Sequence, residues 1–150
     1  MAKELSDKNR GVAFNRFGED YKGYYPHRIR TEKWLFDCFV ALGGKPQTRH
    51  PFYFVLHGSD MLYKWFGEGS ATKLLLSDIA SCDISFTFGD SMSKMDKPER
   101  KDPFLKETLF DLINAHNGNV ECFLNAIKEQ YTYIEAQLWT NKYFALNNLK

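Results

Sequence analysis

His57-Gly58-Ser59-Asp60 is the run whose residue types and order could do chemistry. It falls where an apolar segment should end as a strand and a short helix should begin. Backbone N–H groups at such a turn can hold an anion, helped by the helix dipole. His57 could act as acid, base or ligand, and Ser59 could donate a hydrogen bond. The same residues also serve plain structure, because Gly breaks a strand and Ser or Asp caps a helix. Asp60 speaks for structure, since it would itself occupy the positive end of that helix.

Glu135, within Glu135-Ala136-Gln137, is the second point of chemical interest. Together, His57-Gly58-Ser59 and Glu135 resemble the NAD-using ADP-ribosyltransferases. Some of these place a His-Gly-Ser or His-Gly-Thr at a strand end and a glutamate on a late strand. The resemblance covers only these few residues. It implies that His57 would hold the nicotinamide ribose and that Glu135 would polarise it for transfer. The His motif usually comes nearer the chain start than it does here. Tyr63 is nearby, but no tyrosine is assigned to stack on the ligand.

Two further groups could bind. Tyr24-Tyr25-Pro26-His27-Arg28-Ile29-Arg30 mixes aromatic and basic side chains, with Lys33, Lys45 and Arg49 close in sequence. Tyr25, Arg28 and Arg30 could meet phosphates or stack on bases, which would be a nucleic-acid face. They could equally form a snorkelling cationic surface beside an aromatic anchor. Tyr133 and Trp139, with Tyr131, Glu135 and Gln137, make a polar-aromatic set suited to protein binding or, equally, to cover by the N-terminal arm.

Metal chemistry has little support. Asp78, Asp83 and Asp90 flank the middle strands but match no calcium loop, and His27, His50, His57 and His116 lack zinc spacing. No phosphate loop, dinucleotide fingerprint or nucleophile elbow occurs. The residues name no cofactor and select no metal ligands.

These groups need a scaffold. The 150 residues suit one domain, with 43% hydrophobic and 26% charged residues. Aromatics stand out at 16%, enough for a dense core or a binding surface. The net charge of +1 lacks the basic excess of most nucleic-acid binders. No apolar run approaches the roughly 18 residues of a membrane helix. The charged stretch Met1 to Arg10 does not read as a secretory signal. Cys38, Cys82 and Cys122 are odd in number and widely spaced, as expected of reduced thiols in a cytoplasmic protein.

Residues 1–25 read as a polar arm that docks aromatic side chains and closes at Pro26. Trp34, Leu35, Cys38, Phe39 and Leu42 share one helical face, which predicts a helix over 29–42 with Thr31 as N-cap and Gly43-Gly44 as the stop. Residues 52–57 read as a central strand buried on both faces, and Met61 to Phe66 as a short helix. Strands are also expected at 72–79, where a helix weakened by Ser77 and Asp78 is the alternative, and at 83–88, the latter with one wet face. Residues 89–102 read as a solvated, mobile connector. Asp102-Pro103 should start a helix that ends at Asn117-Gly118, and Asn119 should cap a third. Residues 131–139 and 143–146 read as the last strands.

The expected fold is therefore α+β: one domain with a mainly antiparallel sheet of four to five strands against about three helices. The leading functional expectation is a non-enzymatic protein-binding or regulatory module, its partner another protein or a second copy. The alternatives are an enzyme or nucleotide-binding domain using His57-Gly58-Ser59, and a nucleic-acid binder using Arg28 and Arg30.

Overall fold

The computed structural model describes residues 21–65 and 71–147, and most of the expected N-terminal arm lies outside them. The frame is a three-stranded antiparallel sheet in the order β1-β3-β2, with β1 at Phe52–Val55, β2 at Ile84–Phe88 and β3 at Ile134–Leu138. Six helices surround it among the described residues: α1 Tyr21–Ala41, α2 Asp60–Trp65, α3 Ser91–Lys94, α4 Lys106–Asn114, α5 Val120–Ile127 and α6 Lys142–Asn147. The α+β class is as expected, but the sheet has three strands rather than four or five.

The missing strands have local causes. At 72–79, Asp78 N–H bonds to Leu75 and Ile79 N–H to Leu76, so this backbone closes a 3-10 turn instead of joining a ladder. Leu74 and Leu76 pack on the core without pairing. Residues 143–146 lie in α6, which seats Tyr143 and Phe144 against the core.

The sheet separates two packing layers. Ile84 and Phe86 of β2 and Ile134, Ala136 and Leu138 of β3 meet Leu109 of α4 and Phe123 of α5. On the opposite face, α1 lays Leu35 and Phe39 over Trp139. The face expected to be wet is thus covered, and Ser85 and Thr87 are buried. α1 reaches back to Tyr21, so Pro26 lies inside the helix rather than closing an arm, and Thr31 donates to the His27 carbonyl instead of capping.

The predicted stops hold well. Gly43 N–H bonds to Val40 and Gly44 N–H to Phe39, and Gly43 has φ +95°, which together make a Schellman motif. Asn119 Oδ1 accepts from the Cys122 amide at 3.0 Å and caps α5. Asp102-Pro103 does not start α4. Phe104 bridges to Phe86 in both directions, and the helix begins at Lys106.

Candidate functional site

β3 is the centre of the sheet, and its alternation sends Glu135 and Gln137 toward α1. There they join a buried polar layer. Ser91 Oγ donates to Glu135 Oε1 at 2.5 Å, and Gln137 Nε2 donates to the same oxygen at 2.9 Å. Gln137 also donates to Thr87 and accepts from Ser85, while the Trp139 indole donates to Ser85 Oγ at 3.0 Å. Burial is the main reason that the Glu135 carboxyl is pushed up to about 7. The hydrogen bonds from Ser91 and Gln137 oppose the rise, and the Asp90 charge adds to it.

A second carboxylate, Glu32 of α1, is 3% exposed. It accepts from Arg28 Nε at 2.9 Å and Tyr53 at 3.2 Å, and it pairs with His50 Nδ1. Burial, followed by the Glu32 and Glu135 charges, holds the Tyr53 phenol well above its ordinary range. At the sheet's far corner, burial acts to raise the Asp83 carboxyl. Hydrogen bonds from Lys142 and Tyr143, each 2.6 Å, outweigh it and hold the group below its ordinary value.

The residues singled out by sequence do not form one site. His57 sits in a turn at φ 61°, half exposed, with Nε2 3.4 Å from Glu121 of α5. Ser59 Oγ accepts from the Leu62 amide and so caps α2. Glu135 lies on the α1 side of the sheet, so the three residues of the expected transferase-like site do not converge. Arg28 is taken by Glu32 and Tyr24, and Arg30 by Asp96 at 2.6 Å and by His27. The expected phosphate-contacting guanidiniums are therefore paired.

Tyr25 is 38% exposed on α1, whereas Tyr133 is half-buried and its carbonyl accepts from Gly89. Trp139 is fully buried, stacked on Phe39 at 5.4 Å and met edge-on by Phe36, so it belongs to the core and not to a binding face. Its placement follows from α1 covering that side of the sheet.

Two further features stand out among the described residues. The first is a narrow cleft beside α3, without enclosed room for a water molecule, where Trp34 and Tyr131 meet Lys94, Glu99, Arg100 and Lys101. The second is the outer edge of β1. Leu56 N–H bonds to Ile134, which fixes Phe52, Phe54 and Leu56 as the residues whose backbone faces β3. Tyr53 and Val55 therefore turn their backbone groups outward. Val55 C=O accepts from Gly58, but the Tyr53 N–H and C=O and the Val55 N–H have no backbone partner among the described residues. On β2 the outward N–H and C=O of Phe86 are taken by Phe104.

Sequence reasoning missed Glu32, Ser91 and the cleft cations as site residues. The polar residues at 85, 87, 135 and 137 did signal a shared polar face, but not its cover. No protein-family model matches the chain, and neither the curated proteins nor the solved structures contain a significant match to it.

Proposed function

We propose that this chain is a protein-binding module that takes an extended segment of a partner polypeptide as a fourth strand beside β1. The observation that carries the reading is the outward-facing backbone of Tyr53 and Val55, whereas on the outer edge of β2 the middle residue, Phe86, is bridged by Phe104. Exposed strand edges are usually guarded by charge, proline or cover. Phe52-Tyr53-Phe54-Val55 carries no charged side chain, and Phe52 is 38% exposed. Main-chain hydrogen bonds would supply affinity, and side chains alternating along the added strand would supply selectivity. The matching occupant is a proline-free, apolar or aromatic extended segment.

Val55→Pro tests this directly. The Val55 amide is not bonded to β3, so proline removes an edge donor without deleting a ladder bond. A displayed library of linear peptides should enrich extended apolar sequences on the wild-type chain and lose that enrichment on Val55→Pro. Enrichment unchanged by Val55→Pro would reject the edge as the site. Concentration-dependent self-association that Val55→Pro abolishes would assign the edge to a second copy instead.

A further inference from the structure

α1 has two flanks beside the face it lays on the sheet. One is taken by α3 and the loop after it. His27 Nε2 meets the Met92 carbonyl, Arg30 donates to Asp96, and Arg100 stands over the Trp34 ring. Tyr25, Ile29, Glu32 and Phe36 lie on the other flank, at helical spacings of three or four residues that put them in one row. Glu32 accepts from Tyr53 and pairs with His50, so this row runs along the β1 side.

The row runs against the direction of β1. Phe36 and Phe39 meet Trp139, which follows Leu138, the partner of Phe52. Further back along α1, the Arg28 guanidinium lies 5.5 Å from the Tyr53 ring centre. Ile29 and Tyr25 therefore continue past Tyr53 toward Val55. His50 and Trp139 occupy the Glu32 and Phe36 end of the row, whereas Ile29 and Tyr25 are each 38% exposed. Two large side chains thus overhang the outer side of β1, next to the outward N–H groups of Tyr53 and Val55.

A strand paired with β1 puts each side chain on the same face as the residue it stands opposite. Tyr53 reaches Glu32 of α1, and Val55, two residues on, shares its face. We infer that α1 is the selective wall of the β1 site: Ile29 and Tyr25 favour bulky apolar side chains at the two residues of the incoming segment that stand opposite Tyr53 and Val55, a contact that rests on strand addition at β1. The residue between those two points to the other face of the sheet, where α1 does not reach it.

The test takes peptides selected from the displayed linear library on the full wild-type chain and measures their binding to wild type, Val55→Pro, Ile29→Gln and Tyr25→Gln. Both glutamine positions are exposed on a helix, and glutamine suits a helix, so the unfolding midpoints should match wild type. Peptides that lose binding to Val55→Pro should carry bulky apolar residues at two positions separated by one. Each glutamine variant should weaken them about tenfold or more, through the apolar area no longer buried. Serine at one of the two peptide positions should abolish the effect of Ile29→Gln, and serine at the other that of Tyr25→Gln. Serine between them should leave both effects in place. Edge-dependent peptides that bind both glutamine variants as tightly as wild type would overturn the role of α1 and leave strand addition standing. A library that yields no peptide sensitive to Val55→Pro would overturn strand addition at β1, and the α1 contact with it.

Discussion

Ser91 of α3 donates to Glu135 of β3 across 2.5 Å, tying a short helix to the middle strand through a carboxyl that is almost wholly buried. Burial favours the neutral form of Glu135, whose pKa rises from 4.5 to about 7. The folded chain thus keeps a proton that the unfolded chain releases. The sign follows: stability from this group is full below about pH 4.5, falls as pH rises toward about 7, and stays low above that. The whole effect is about 3 kcal/mol.

Glu135→Gln removes this dependence while keeping an oxygen to accept from Ser91. The variant should be more stable than wild type at pH 8 by about 1 to 3 kcal/mol. Its slope between pH 5 and 7 should be shallower, which urea unfolding across that range would show. A wild-type chain whose stability rises steadily over the same range would contradict this placement of Glu135.

Gly44 closes the α1 stop against a buried ring. A Cβ at this position would lie 2.4 Å from the Phe39 ring, and Phe39 is itself stacked on Trp139. Gly44→Ala must therefore displace a core side chain and should cost about 1 to 3 kcal/mol in denaturant unfolding. Gly43 has open space around it, but at φ +95° an alanine there strains the backbone instead.

Tyr143 ties α6 to the start of β2. Its hydroxyl donates to Asp83 at 2.6 Å and accepts from the Ala80 amide at 2.9 Å. Tyr143→Phe should cost about 1 to 3 kcal/mol, because a buried carboxylate loses a donor. The Asp83 carboxyl should also titrate closer to its ordinary value, and NMR titration of wild type and variant would detect that upward shift.

Local signals in the sequence were read well where the backbone answers to them alone. Gly43-Gly44, Asn117-Gly118 and Asn119 act through their own dihedrals or side-chain caps, and each falls where expected. The β2 alternation also stands out, because Ile84 and Phe86 must face the core whatever covers the other side. Tertiary choices were not legible. The apolar run at Phe52 looked central but forms an edge, while polar Glu135 and Gln137 sit on the middle strand. Their polarity is satisfied across the sheet, by Ser85, Thr87 and Ser91, from segments about 50 residues away. The resemblance that pairs His57 with Glu135 spans only a few residues and does not show which face of the sheet each one takes. The cleft was hidden for a related reason: Trp34, Tyr131 and the loop cations come from separate stretches of chain.

Amide hydrogen exchange, resolved by residue, tests the β1 edge most directly. In the chain alone, the Tyr53 and Val55 amides should exchange quickly and those of Phe54 and Leu56 slowly, following the alternation along the strand. Adding a peptide selected on the wild-type chain should protect Tyr53 and Val55 and leave Phe54 and Leu56 unchanged. Protection that falls elsewhere, with Tyr53 and Val55 still exchanging quickly, would show that β1 does not receive a strand.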